Sequence, residues 1–291
     1  MSAMSSVPTF ILLWFLSIVQ THGSLDVSTC GKSKGCWFMP PYCTYDSQAG
    51  TNCTTVVAWK VDEPYVTLEF DSQIDGLTTS PFSGRYVALA FSKDGFMVRK
   101  FGIRMHRGDD SVVECVAKPD GTVGAYVSFN DEKSNVRLVE ASVLLTKNTS
   151  GEVVNGRLVC RTSRLLHNEK TTGIPTNDNF KFFDLRQISY MLQIAKGRTK
   201  VGEGYELGIH STNDDAMFPW MTKDYVKMSD NVVVSSMKQT SIPRSIQYNM
   251  VKVHAHKRVI IWEYIRISGD MIGHCPSKHI LLFLPHWGII Q

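Results

Sequence analysis

Short segments in which apolar and polar residues alternate are the feature that most restricts the fold of this chain. Residues 66–70 carry an apolar side chain at every second position, and residues 123–129 repeat this pattern. Side chains of a β-strand point alternately to the two faces of a sheet, so a period of two indicates a strand with one buried face. Further segments that we interpret as strands are 86–91, 139–145, 157–160 and 190–195.

Groups of turn-forming residues separate the predicted strands. They are Asp75-Gly76, Asp94-Gly95, Pro119-Asp120-Gly121, Thr149-Ser150-Gly151 and Asn155-Gly156. Short strands at this spacing with polar turns are typical of an antiparallel β-sandwich. We therefore predict an all-β sandwich over residues 56–215. It is followed at 216–291 by a linker and an irregular or partly helical C-terminal tail, in which 244–267 is a candidate helix.

The N-terminal residues have the pattern of a secretory signal peptide. Residues 10–19 form an apolar run that is too short to span a bilayer. Small residues follow at Thr21-His22-Gly23, where a signal peptidase would cleave. We therefore predict that residues 1–23 are removed and that the mature chain is secreted or extracellular, in an oxidising compartment.

The seven cysteines are expected to be mostly paired in such a compartment. Four of them lie in residues 24–55, which we interpret as a disulfide-rich lead-in whose cysteines pair among themselves in one of three ways. Cys115 and Cys160 each end a strand-like segment, and we predict that they pair across the sheet. Cys275 is then left over. No pair of cysteines has the close spacing of a zinc site.

Two glycosylation sequons agree with a secreted protein, and the net charge of the chain bears on its partners. The sequons begin at Asn52 and Asn148, and we expect both side chains to lie at the surface. The net charge is only +4 and no long run of Lys or Arg occurs, so nucleic acid is not an expected partner. Beyond residue 23, no apolar run reaches the ~20 residues of a membrane-spanning helix.

A set of short segments occurs in an order that is specific to one family. The segments are 28–36, 86–97, 108–115, 134–138, 190–197 and His210-Ser211. Together they resemble a DOMON domain, a β-sandwich, in the form found in ferric-chelate reductase-like proteins of the stromal-cell-derived-receptor group. The resemblance covers about residues 28–212. In the family, the equivalents of Met97 and Gly108 are adjacent, so residues 98–107 look like an insertion in this chain.

The resemblance implies a candidate cofactor site. Some DOMON domains bind haem b with a methionine and a histidine as axial ligands. Met97 holds the family's methionine position if the insertion is skipped, and Met105 is the alternative by simple counting along the chain. His210 holds the histidine position. A thioether and an imidazole together give a six-coordinate iron that suits electron transfer, because no coordination position is open to a substrate.

The function implied by the resemblance is extracellular electron transfer, with ferric chelates or a redox partner protein as the partner. The domain would be at most part of a ferric-chelate reductase, because in the relatives a transmembrane b-type cytochrome follows it. Residues 250–256 resemble the entry to that first membrane helix, and the resemblance then stops. Membrane association would come only through a longer form or a partner. The alternatives are a haem-free DOMON module that binds a ligand or a protein, and a structural β-sandwich without a ligand.

Overall fold

A computed structural model provides the structure of the protein. It describes residues 25–46, 50–74, 82–93, 109–131, 134–167, 176–202, 204–211, 216–238, 248–255 and 258–265. For the last two ranges it describes the backbone alone. The predicted signal peptide, Met97, Met105 and Cys275 lie outside the described residues, and so do the predicted turns at 75–76 and 94–95.

The described residues form mainly β-strands. In the first half of the chain these are β1 (Gly35–Met39), β2 (Tyr45–Asp46), β3 (Gly50–Thr51), β4 (Thr55–Asp62), β5 (Tyr65–Gln73), β6 (Arg85–Ser92), β7 (Asp110–Ala117), β8 (Val123–Asp131) and β9 (Ser134–Arg137). The strands that follow are β10 (Thr146–Val154), β11 (Arg157–Leu165), β12 (Met191–Thr199), β13 (Leu207–His210), β14 (Trp220–Thr222), β15 (Val233–Val234), β16 (Ser236–Lys238), β17 (Tyr248–Ala255) and β18 (Arg258–Ile265). The helical elements are α1 (Val139–Leu145) and a 3-10 turn, Thr176–Lys181.

Two sheets pack face to face. The first sheet has the order β10-β11-β5-β4-β1-β15, and the second has the order β16-β14-β12-β6-β7-β8-β9, with β13 also paired to β12. All the pairings are antiparallel except that of β1 with β15. The predicted all-β antiparallel sandwich is therefore confirmed. Strands β17 and β18 form a hairpin in a separate unit, from Thr240 to Gln291.

Large apolar side chains from both sheets fill the space between them. Those from the first sheet include Trp37, Trp59, Leu68 and Phe70, and those from the second include Leu89, Phe91, Val113 and Phe129. Gly35 pairs directly with Trp59, and a Cβ at this glycine would lie 2.0 Å from the indole ring. Only glycine leaves the space that Trp59 occupies. A disulfide between Cys115 on β7 and Cys160 on β11, the predicted pair, joins the two sheets through this core.

The lead-in packs on the outer side of the first sheet. Disulfides join Cys30 to Cys36 and Cys43 to Cys53, which is one of the three pairings left open by the sequence. Leu25, Cys36, Cys53, Val56 and Ala58 form a small apolar cluster there. Together with the Cys115–Cys160 bridge, these disulfides indicate an extracellular or secreted protein.

A polar network also ties the lead-in to the first sheet. The Tyr45 hydroxyl donates to Asp71 Oδ2 at 2.6 Å and accepts from the Leu25 amide at 3.1 Å. Arg157 Nε donates to Asp71 Oδ1 at 2.5 Å, and Arg157 Nη1 donates to the Cys53 carbonyl at 3.1 Å. Burial and the Asp71 carboxylate raise the pKa of the Tyr45 hydroxyl, so this group remains a donor at neutral pH.

We expect Tyr45→Phe to lower the free energy of unfolding by about 1–2 kcal/mol, because Asp71 and the Leu25 amide each lose a partner at a partly buried site. Urea denaturation measures this change. Tyr225→Phe is the matched control, since its hydroxyl also donates one hydrogen bond, to the Lys93 carbonyl at 3.1 Å, but at an exposed site. Equal losses in the two variants would contradict the role assigned to the network.

Two predicted turns are confirmed and another is wrong. The turn at Pro119-Asp120-Gly121 connects β7 to β8, and the Gly121 amide donates to the Lys118 carbonyl at 3.0 Å. Asn155 and Gly156 connect β10 to β11 with φ values of 49° and 71°, the left-handed conformation that this dipeptide favours in tight hairpins. The turn predicted at residues 149–151 lies instead within β10, where the register shifts between Lys147 and Ser150. Asn148, with φ of 52°, supports this irregularity without ending the strand.

Three other predictions of local structure are wrong. Residues 139–145 form helix α1 rather than a strand, because the buried residues 138, 141, 142 and 145 recur at helical spacing. The sandwich does not end at residue 215, because β14 pairs with β12 and β15 pairs with β1. Within the candidate helix 244–267 and the candidate helix entry at 250–256, the described residues 248–255 and 258–265 are not helical, because β17 and β18 form a hairpin rich in β-branched residues.

Candidate functional site

The candidate site lies on the face of the second sheet that is turned away from the first sheet, which we call the outer face. Tyr86, Ala88 and Ala90 of β6 alternate with residues that point into the core, and they form an apolar cluster with Val112 and Val116 of β7. These side chains are buried. Three neighbouring positions of the sheet have small residues, Ala88, Ala90 and Gly197. The result is a buried apolar cluster on the outer face, beside polar groups.

His210 is placed at the edge of this outer face. It ends β13 and pairs with Gly197 of β12, which in turn pairs with Tyr86 of β6. A Cβ at Gly197 would lie 2.9 Å from the Tyr86 ring, so glycine lets that ring cross the neighbouring strand. The Tyr86 hydroxyl then donates to the Gly208 carbonyl at 2.9 Å, which fixes β13 against the sheet.

The His210 ring is oriented by a single hydrogen bond. Its Nδ1 lies 2.7 Å from the Ser211 carbonyl oxygen. A carbonyl only accepts, so Nδ1 carries the hydrogen and the lone pair of the neutral ring is on Nε2. Metal-binding histidines commonly have this arrangement, with one ring nitrogen donating to a carbonyl and the other facing the metal. Among the described residues, Nε2 has no hydrogen-bond partner.

A buried ion pair crosses the same face. Glu114 is fully buried on β7, and Arg137 donates to it from Nε and from Nη2, each at 2.9 Å. Arg137 also donates to the carbonyls of Gly204 and Tyr205, and its guanidinium stacks on the Tyr126 ring at 3.9 Å. Burial raises the pKa of Glu114, and the hydrogen bonds and charge of Arg137 oppose this shift. The pair therefore holds the segment after β12 against the outer face.

The sequence analysis did not identify this ion pair. Glu114 is the one charged residue within the apolar run from 111 to 117. This position was the sequence feature that could have indicated a buried ion pair. A carboxylate at the centre of a strand that is buried on both faces needs a partner. The sequence does not show which of the many basic residues provides that partner.

Of the proposed haem ligands, the structure describes His210 alone. His210 lies on the outer face as described, whereas Met97 and Met105 are outside the described residues. Met191 lies on β12 opposite Ser92, six positions along the sheet from the Tyr86–Gly197 pair. At about 3.3 Å per residue it is ~20 Å from His210 and cannot share a metal ion with it. In the described part of the chain, no three His, Cys, Asp or Glu side chains are grouped as a metal site.

The predicted glycosylation sites are exposed. Asn52 and Asn148 both lie at the surface, the first between β3 and β4 and the second on β10. The Asn52 side chain accepts a hydrogen bond from the Thr44 amide at 2.6 Å through Oδ1. Helices that are long and apolar enough to cross a membrane do not occur among the described residues.

Comparison of the chain with protein-family models, with curated proteins and with solved structures gave no match. The resemblance to a DOMON domain therefore rests on the sequence segments alone and stays a prediction.

Proposed function

We propose that the chain is an extracellular haem b-binding domain of DOMON type that transfers single electrons. His210 would be one axial ligand and Met97 the other, with Met105 as the alternative. The observation that supports the proposal most is the His210 ring, whose Nδ1 donates to the Ser211 carbonyl and whose Nε2 is available at the edge of an apolar face. A haem held by these ligands would exchange electrons without binding substrate at the iron.

Such a domain would work as one part of a ferric-chelate reductase. It would pass electrons to or from ferric chelates or a redox partner protein, and association with a membrane would come through a longer form of the protein or through a partner. The net charge of +4 favours encounter with anionic chelates of iron, although a charge this small gives only a modest effect.

The strand geometry sets a condition for this proposal. His210 is level with Tyr86 at the start of β6, whereas Met97 follows Ser92 at the opposite end of that strand. The distance along the sheet is ~20 Å, and five extended residues reach at most ~17 Å. The side chains of Met97 and His210, with two bonds to iron of ~2 Å each, would cover the few ångströms that the chain does not reach. Met97 can therefore be a ligand only if residues 93–97 turn back along the outer face toward His210.

We expect the secreted protein to bind haemin and to give a low-spin visible spectrum that sharpens when dithionite reduces the iron. His210→Ala should abolish this spectrum, because the imidazole ligand is lost. His167→Ala is the matched control and should leave the spectrum unchanged, since it removes an imidazole at a different site. Visible absorption during haemin titration measures both results.

Methionine variants identify the second ligand. Met97→Leu should convert the spectrum to a high-spin form, because leucine keeps the volume of the side chain and removes the thioether. If Met105→Leu has this effect instead, Met105 is the ligand. A titration in which haemin produces no absorption band beyond that of the free compound would overturn the haem proposal.

A second candidate function is that of a haem-free binding module, and a cleft on the first sheet favours it. The cleft has a volume of about 390 Å³ and is lined by Leu25, Glu69, Gly151, Glu152 and Arg161, among others. Its size and mixed polar lining suit a small polar molecule such as a sugar. Glu69→Gln and Arg161→Gln would weaken binding of such a molecule and leave haemin binding unchanged, so the two candidates can be distinguished.

A further inference from the structure

Arg164 is a cation within the core of the sandwich. It lies on β11 and is fully buried between the two sheets. Its Nη2 donates to the Phe183 carbonyl at 3.0 Å and to Ser111 Oγ at 3.3 Å. Its Nε and Nη1 have no hydrogen-bond partner in the described part of the chain. A guanidinium carries five donor hydrogens, so a large part of its hydrogen-bonding capacity is unused.

No carboxylate neutralises this cation among the described residues. Asp184 is the nearby acid that acts on its charge, but the Asp184 carboxylate is engaged by Arg186, with Nη2–Oδ2 at 2.6 Å. Asp110 precedes Ser111 on β7 and therefore belongs to the outer face, where its Oδ2 accepts from Asn130 at 3.3 Å. Burial lowers the pKa of Arg164 to about 9. An incompletely bonded buried charge is costly, and proteins seldom keep one without a use.

Aromatic rings surround the guanidinium. Its central carbon lies 3.8 Å from the centre of the Phe182 ring and 5.2 Å from that of Phe91. Phe183 stacks on Tyr190 next to them, with ring centres 5.6 Å apart. These rings provide an apolar environment in which a charged hydrogen bond to Arg164 would be much stronger than in water.

We propose that this end of the sandwich binds a small molecule with one carboxylate and an apolar or aromatic body. One carboxylate oxygen would accept from Arg164 Nη1. The other would accept from the Ser111 hydroxyl. Because the oxygen of this hydroxyl accepts from Nη2, its hydrogen points away from the guanidinium. The apolar body would pack among the phenylalanine rings. This site is separate from the outer face that contains His210, so it goes beyond the proposed electron transfer.

The 3-10 turn Thr176–Lys181 offers the entry route. It covers the aromatic cluster through Phe180, whose ring centre is 5.8 Å from that of Phe129, yet Phe180 is 64% exposed. The turn leads directly into Phe182, which stacks on the guanidinium. A short turn at the surface, whose Phe180 ring is largely exposed, can be displaced at low cost, and its displacement would open the space over Arg164.

The test compares 4-phenylbutyrate with 4-phenylbutyramide, which has the same body without the charge. We expect the carboxylate to bind the full secreted chain at least about tenfold more tightly than the amide in isothermal titration calorimetry. The reason is that only the carboxylate makes a charged hydrogen bond to Arg164 at a site without water. Arg164→Met should abolish this preference. Without ligand, the same variant should raise the unfolding midpoint by about 2–6 °C, because it replaces an incompletely bonded charge with an apolar side chain.

Ser111→Ala provides a second test that does not alter the charge, and it should weaken carboxylate binding several-fold. Lys60→Met on β4 of the same sheet is the matched control, because its side chain is 47% exposed, and it should change neither binding nor the midpoint. Equal affinity of the carboxylate and the amide would overturn the proposal. So would unchanged carboxylate binding in either the Arg164 or the Ser111 variant, or a lowered midpoint in Arg164→Met, which would mean that the guanidinium has a structural role.

Discussion

Arg137→Met should lower the free energy of unfolding by about 3–5 kcal/mol, because it leaves a buried carboxylate without its partner. Glu114 is fully buried, and in the described structure both its oxygens receive hydrogen bonds from Arg137 at 2.9 Å. The variant also loses the bond to the Tyr205 carbonyl at 2.9 Å. Urea denaturation followed by tryptophan fluorescence measures the loss.

Two further variants separate the burial of the charge from the loss of the arginine side chain. Lys200→Met breaks an ion pair with Glu206 in which both side chains are about half exposed, and it should cost less than ~1 kcal/mol. Adding Glu114→Gln to Arg137→Met removes the stranded charge and should recover part of the loss. A double variant no more stable than Arg137→Met alone would show that packing of the arginine, and not the charge of Glu114, dominates.

The pH dependence gives an independent check of the same variant. A carboxyl group whose pKa is raised in the folded protein binds more protons in the folded state than in the unfolded state, so stability falls as the pH rises above the unfolded value. Burial already raises the pKa of Glu114 when Arg137 is present, and removal of Arg137 raises it further. Lowering the pH from 7 to about 5 should therefore stabilise Arg137→Met more than it stabilises the wild type. Glu114→Gln in that background should remove the difference.

The sequence predicted the fold where the local pattern was long enough to determine it. The strand predictions at 66–70, 86–91, 123–129 and 190–195 correspond to strands with one or both faces buried. The Asn155-Gly156 turn was predictable because that dipeptide tolerates left-handed backbone at both positions. At these sites the tertiary structure keeps the element that the local pattern indicates, so the sequence alone was enough to predict it.

The predictions failed where local pattern was short or ambiguous. Strands β14 to β16 have only two or three residues each, which is too few to show a period, and β15 pairs with β1 near the other end of the described chain. For α1, the buried positions Leu138, Ala141, Ser142 and Leu145 follow a helical spacing that a run of apolar residues conceals. Hydrophobicity alone could not distinguish a helix from a strand there.

The candidate sites were predictable to different degrees. His210 came from a family resemblance and not from any local pattern, so its environment beside Tyr86 and Gly197 was not foreseeable. Arg164 follows Ser163 in a segment that reads as an ordinary polar strand end. Its burial arises because β11 pairs with β5 and faces β7 across the core, and these contacts join residues far apart in sequence.

Removal of the Cys115–Cys160 disulfide, by substituting both residues with alanine, should lower the free energy of unfolding by at least about 4 kcal/mol. The bridge closes a loop with a sequence separation of 45 residues, and chain-entropy estimates for that length give ~4 kcal/mol. Both cysteines are buried in the core between the sheets, so the lost sulfur atoms leave a cavity that adds to the cost. Chemical denaturation of the double variant in non-reducing buffer measures the change.

The Cys30–Cys36 bridge is the matched control because it differs chiefly in loop length and location. Its sequence separation is 6 residues, for which the same estimate gives ~2 kcal/mol, and it lies in the lead-in and not between the sheets. Replacing this pair with alanine should therefore cost about half as much as replacing the inter-sheet pair. If the lead-in bridge proved the more costly of the two, folding would depend on the lead-in more than on the covalent link between the sheets.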